Sequence, residues 1–112
     1  MTEHAIKRAV MKYLGGVSKK TGGRILARKT HGSAYGTRGE PDIIGCGAIC
    51  GHLPISRAFV IELKQPGEQP TKLQTARLQE WARAGAATAV ATSVVQVRDF
   101  LRLTFGDLSE LE

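Results

Sequence analysis

Asp42, Glu62 and Lys64 are the residues of this 112-residue chain whose types and spacing best suit chemistry. Along "FVIELKQ", residues 59–65, successive side chains alternate faces, so Phe59, Ile61 and Leu63 point one way and Val60, Glu62 and Lys64 the other. Glu62 and Lys64 therefore share a face, either as a solvated salt bridge on an exposed strand or as the carboxylate and ammonium of a working site. Asp42 opens the apolar run before them. If the two runs pair as a hairpin centred near residue 52, Asp42 lies opposite Glu62. Directly opposed carboxylates repel in a sheet, so this pairing asks for a cation between them. Lys64 supplies one positive charge, but a divalent metal matches two converging carboxylates better. Oxygen-only ligands with room for water point to Mg²⁺ or Mn²⁺.

These groups need a scaffold, and the apolar pattern supplies one. Ile6, Ala9, Val10, Tyr13 and Leu14 recur at helical spacing from Glu3 to Leu14, with Lys7, Arg8 and Lys12 mostly elsewhere on the wheel. Thr2 is a candidate N-cap, and Gly15-Gly16 is expected to stop the helix. Glu3 falls on or beside the buried stripe, an odd place for a carboxylate unless it serves the first turn through the helix dipole. "VSKKTGG" then reads as a basic turn, "RILARKTH" as a strand, "GSAYGTRGE" as a loop, and "PDIIGCGAI" as a second strand with Pro41 at its mouth. A turn through "CGHLPIS" leads to the third strand, Ala58 to Lys64. After "QPGEQP", a second helix runs from a cap near Thr71 to Gly85, with Leu73, Ala76, Leu78, Trp81 and Ala82 on its apolar stripe. "AATAVAT" reads as a short strand buried on both faces, and Ser93 caps a last helix through Val94, Val97, Phe100 and Leu101. The order αβββαβα implies an α/β fold. The first three strands form an antiparallel meander, and the helical crossover makes the fourth parallel in a mixed central sheet flanked by helices.

The length fits one domain spanning residues 1–112. No apolar run approaches the roughly 18–20 residues that cross a bilayer, and the N-terminus lacks a signal-peptide core, so no membrane partner and a cytoplasmic location are expected. Two cysteines in a reducing compartment are expected as free thiols. Sixteen Lys and Arg against ten Asp and Glu give a net charge of +6. Up to residue 38 the bases Lys7, Arg8, Lys12, Lys19, Lys20, Arg24, Arg28, Lys29 and Arg38 face Glu3 alone. Such a half suits a polyanion, with a merely solubilising surface as the bland alternative.

The pattern "PDIIG", nineteen intervening residues between Asp42 and Glu62, and then "ELK" resembles the PD-(D/E)XK motif of a nuclease superfamily. Within it the chain is most similar to the virus-type replication and repair nuclease domain, VRR-NUC. "GEPD" at 39–42, "ELK" at 62–64, Glu3 on the first helix and Gln74 on the second match that family's pattern, and the likeness runs from Glu3 to about Phe100. The resemblance implies a metal held by Asp42, Glu62, the backbone carbonyl of Leu63 and, directly or through water, Glu3. Lys64 would hold or activate the attacking water, and Gln74 would orient a water, Lys64 or a phosphate. The metal would lower the pKa of its water and polarise the phosphoryl oxygens. The implied function is hydrolysis of DNA phosphodiesters, selective for branched, flap or junction structure. The resemblance further implies a homodimer, no small-molecule cofactor, and a phage or prophage replication and repair setting in a bacterial host.

Other signals weigh less. Cys46, Cys50 and His52 form C-x3-C-x-H, which matches no established zinc pattern. His31 is read as a surface residue, and Trp81 falls at a core spacing. Ser33, Tyr35, Thr37 and Arg38 lie on a loop near the Pro-Asp segment, and Lys29 and Arg38 are the candidate phosphate contacts for DNA. Gly32, Gly36 and Gly39 make no phosphate cradle, because no P-loop lysine follows. The rival reading is a non-catalytic nucleic-acid-binding module that keeps the fold, and a third is a zinc-stabilised interaction domain.

Overall fold

Ile6, Val10, Leu14 and Val17 recur every three or four residues and are all buried, which defines the inner stripe of helix α1, Glu3–Lys20. The structure, a computed structural model, describes residues 1–30, 38–49 and 55–106. Thr2 caps α1 by accepting the Ala5 N–H at 3.1 Å. The helix does not stop at Gly15-Gly16 as the sequence suggested; it runs through both glycines to Lys20 and caps at Thr21. Each glycine costs about 1 kcal/mol relative to alanine, whereas burying Val17 returns about 1.5–3 kcal/mol. Lys19 and Lys20 add favourable charge at the negative end of the helix dipole.

Strands β1 (Ile25–Lys29), β2 (Ile43–Ile49), β3 (Ile55–Leu63) and β4 (Ala87–Ala91) form one sheet in the order β1-β2-β3-β4. The first two pairings are antiparallel and β3 pairs with β4 in parallel, across the crossover helix α2, Lys72–Arg83. Helix α3, Val94–Phe105, starts at Ser93, whose Oγ accepts the Gln96 N–H at 3.2 Å. The expected mixed α/β fold and its order αβββαβα are therefore present.

The core lies between the sheet and helices α1 and α3. Phe59, Ile61 and Leu63 meet Ile6, Val10, Ile43, Val97 and Leu101 there, and Phe59 packs edge-on against Phe100 and Phe105. Ile43, Ile61 and Leu63 are fully buried, as the alternation of β3 requires. Two expectations of burial fail. β4 is an edge strand among the described residues, with Val90 43% exposed rather than covered on both faces. Helix α2 buries none of its side chains completely; Leu73 is 41% exposed, and Trp81 is half-buried instead of in the core. No helix among the described residues is long and apolar enough to cross a membrane.

Candidate active site

Asp42 is placed by its neighbours on both sides. The Thr30 N–H donates to the Asp42 carbonyl at 2.8 Å, and the Thr30 hydroxyl donates to the Pro41 carbonyl at 2.6 Å, so the end of β1 fixes the backbone ahead of β2. From the other side α2 holds residues 38–40. Trp81 Nε1 donates to Glu40 Oε2 at 2.8 Å, and Arg77 Nε donates to the Arg38 carbonyl at 3.1 Å. Gly39 between them has φ +80°, and a Cβ there would come within 2.6 Å of Leu73 Cγ. Both the left-handed backbone and the close approach of α2 demand glycine at this position.

The hairpin register pairs Ile43 with Ile61. One step further along that register sets Asp42 against Glu62, as the sequence centre near residue 52 predicted. Asp42 Oδ2 accepts the Leu63 N–H at 2.7 Å, which ties the carboxylate to the strand carrying the Glu-x-Lys pair. Glu62 is only 2% exposed and Lys64 7%. Their closest approach, 3.9 Å between Lys64 Nζ and Glu62 Oε1, is beyond hydrogen-bond length. Glu3, in the first turn of α1, brings a third carboxylate, and one oxygen from each of Glu3, Asp42 and Glu62 lies within 4.8 Å of the others.

Such convergence is electrostatically unfavourable in a buried place. Burial, and then the hydrogen bond and charge of Asp42, push the Glu62 carboxyl up from 4.5 to about 8 against the opposing pull of Lys64, with Glu3 adding to the rise. Among the described residues nothing donates a hydrogen bond to Glu62 Oε2, which is buried. A buried carboxylate oxygen without a donor, beside two further carboxylates, is a donor set that fits a hard divalent cation.

Lys7 belongs to this cluster, and the sequence reading missed it. Its ammonium lies 3.0 Å from Asp42 Oδ1 and 4.0 Å from Glu3. Burial lowers its pKa, but the hydrogen bond and charge of Asp42, with Glu3 and Glu62, outweigh that and leave it raised. The i,i+4 spacing from Glu3 was the signal available.

Gln74 has a structural task at the start of α2. It is the third residue of α2 in a capping box, where its Oε1 accepts the Thr71 N–H at 2.9 Å and its own N–H donates to Thr71 Oγ1 at 3.1 Å. Its carbonyl oxygen is thus committed to starting the helix, and "T-x-x-Q" in the sequence already spelled that motif. Lys29 closes β1 and lines a cavity beside α1, whereas Arg38 is exposed and offers its carbonyl to Arg77. Cys46 is an exposed free thiol. Cys50, His52, His31, Gly32, Ser33, Tyr35, Gly36 and Thr37 lie outside the described residues, so the C-x3-C-x-H pattern and most of the glycine-rich loop do too.

A solved structure described as a VRR_NUC domain protein superposes on this chain with a TM-score of 0.68, covering 96% of this chain and 92% of the other at 19% identity. The two chains share a fold. That VRR_NUC fold accounts for the order of elements. No family model matches the sequence, and no curated protein matches it.

Proposed function

We propose that this chain is a divalent-metal-dependent nuclease that hydrolyses DNA phosphodiester bonds. The observation that carries this reading is the meeting of Glu3 of α1, Asp42 just ahead of β2 and Glu62 of β3, with a buried donorless oxygen on Glu62 and the buried Lys64 just past the end of β3. Chain pairing alone does not call for this arrangement, since its carboxylates repel. The VRR_NUC fold supports it at the level of architecture.

In this reading Glu3, Asp42, Glu62 and the Leu63 carbonyl hold Mg²⁺ or Mn²⁺. The ion supplies a water of lowered pKa and polarises the phosphoryl oxygens. Lys64 holds the attacking water through its ammonium and offsets the negative charge that grows on the phosphate. The Leu63 N–H fixes Asp42, so the carboxylate needs little reorganisation. Any share of Gln74 falls to its amide nitrogen. Lys29 and Arg38 contact phosphates away from the cut. The domain spans residues 1–112, acts on branched, flap or junction DNA as a homodimer, and serves phage or prophage replication and repair in the host cytoplasm.

One observation favours the rival, a nucleic-acid-binding module without turnover: Lys7 already offsets part of the carboxylate charge. Supercoiled plasmid and branched DNA, incubated with the protein in Mg²⁺, Mn²⁺ or EDTA, separate the two. Cleavage by the wild type that needs metal and disappears in Glu62→Gln and Lys64→Met, with DNA binding retained, supports the nuclease. Binding without cutting in Mn²⁺ selects the rival.

A further inference from the structure

His4, Lys7, Arg8 and Met11 share one face of α1 and, with Lys29 of β1, line a cavity of about 290 Å³ next to the carboxylates. The lining carries three permanent cations and no carboxylate. Lys7 is the wall shared between this cavity and the acidic cluster, because the side chain that lines the cavity ends 3.0 Å from Asp42 Oδ1.

Asp42 has two oxygens. Oδ2 is engaged by the Leu63 N–H at 2.7 Å, and Oδ1 is the one that Lys7 holds. A divalent cation that takes Asp42 therefore competes with the Lys7 ammonium for the same oxygen, and two cations sharing it repel. Lys7 is an unbranched, flexible side chain, two-thirds covered, that lies 4.0 Å from Glu3 on one side and borders the basic cavity on the other. An ammonium displaced from Asp42 into this cavity would join Arg8 and Lys29, a concentration of positive charge that suits an anion.

We propose that Lys7 serves as the resident counter-cation of the carboxylates and that metal entry transfers it to the neighbouring cavity, where with Arg8 and Lys29 it binds a phosphate of the nucleic-acid strand. The proposal rests on the nuclease reading and adds an order of events to it. Metal loading assembles the phosphate subsite, so metal and strand bind with positive coupling through one side chain, and each strengthens the other by the same factor. It also gives the cluster a cation of its own before metal arrives.

Two titrations on wild type and Lys7→Met test it without turnover. Free Mn²⁺ followed by its paramagnetic resonance signal gives metal affinity, and a labelled oligonucleotide followed by anisotropy in Ca²⁺ and in EDTA gives strand affinity. Lys7→Met is expected to bind Mn²⁺ about fivefold more tightly, since the competing ion pair is gone. The same variant is expected to lose most of the gain in strand affinity that Ca²⁺ confers on the wild type. A merely structural lysine would move both affinities in the same direction, and that result overturns the proposal, as does no change in either. Acylation of the Lys7 amine, read by mass spectrometry on the wild type, gives a measure independent of any variant's folding. Ca²⁺ should speed the labelling several-fold and added oligonucleotide should slow it again; a rate indifferent to Ca²⁺ overturns the transfer. A wild type that cuts DNA while failing these tests removes the role of Lys7 alone. One that takes up no Mn²⁺ at all removes the nuclease reading with it.

Discussion

The backbone N–H of Leu63 donates to Asp42 Oδ2 at 2.7 Å, so the residue between Glu62 and Lys64 holds the carboxylate on the neighbouring strand. The bond joins the two halves of the acidic constellation, twenty-one residues apart in sequence, and leaves Asp42 Oδ1 as the oxygen available for a cation. It also separates the two jobs of Asp42, as a hydrogen-bond acceptor and as a charge.

Asp42→Asn keeps an acceptor for the Leu63 N–H and removes the charge, whereas Asp42→Ala removes both. Urea unfolding should find the asparagine variant near wild type and the alanine variant lower by about 1–3 kcal/mol, the cost of leaving a part-buried N–H unpaired. Both should lose Mn²⁺ affinity and cleavage. Equal unfolding midpoints for the two variants would show that the Leu63 bond contributes nothing to the fold.

The raised pKa of Glu62 makes stability without metal depend on pH. With a folded-state value near 8 and an ordinary value of 4.5, the folded protein binds the proton more tightly than the unfolded chain. The stability this contributes is present in full below about 4.5 and is lost as pH rises through about 8, to an extent of order a few kcal/mol. Thermal unfolding in EDTA should therefore show the midpoint falling across that window, and Glu62→Gln should flatten the fall. Metal binding below pH 8 should release a proton, which calorimetry in buffers of different ionisation enthalpy measures. A melting temperature in EDTA that climbs with pH across this window contradicts the assignment.

Gly39 combines two demands that a double-mutant cycle can separate. Gly39→Ala places a side chain at φ +80° and against Leu73, and is expected to cost about 1–3 kcal/mol in urea unfolding. Adding Leu73→Ala should recover the part due to the contact and leave the part due to the backbone. If the two substitutions add without coupling, α2 does not press on Gly39 in solution.

The sequence made the strand pairing legible because Asp42 and Glu62 are placed symmetrically about residue 52 and the alternation in β3 has one reading. The mixed sheet followed from the helical run between β3 and β4. The end of α1 was not legible, since Gly15-Gly16 is a strong local stop that only tertiary burial of Val17 overrides. Lys7 escaped because its role depends on Asp42, thirty-five residues away, and the helical wheel shows only that it leaves the apolar stripe. The distance of Gln74 from Thr71 spells a capping box, a local motif legible without any tertiary contact. Trp81 was assigned to the core by spacing alone; the sheet leaves α2 half-exposed, and the indole finds Glu40 instead.

Trp81 is the only tryptophan in the chain, which turns its contact with Glu40 into an optical signal. The indole N–H donates to Glu40 Oε2 at 2.8 Å, and Glu40 stands two residues before Asp42. Arg77 Nε also lies 3.8 Å from Glu40 Oε1, so the carboxylate is held from α2 twice. Glu40→Ala removes both contacts and should shift the tryptophan emission while lowering unfolding stability by roughly 1–2 kcal/mol. Freed from α2, the segment carrying Asp42 gains conformations that do not bring it to Glu62, and Mn²⁺ affinity should drop several-fold although Glu40 is not itself a proposed ligand. Glu40→Gln keeps an acceptor for the indole and should fall between wild type and alanine in all three measurements. Should Glu40→Ala leave emission, stability and metal affinity unchanged, the hold of α2 on the Asp42 segment would have no part in assembling the site.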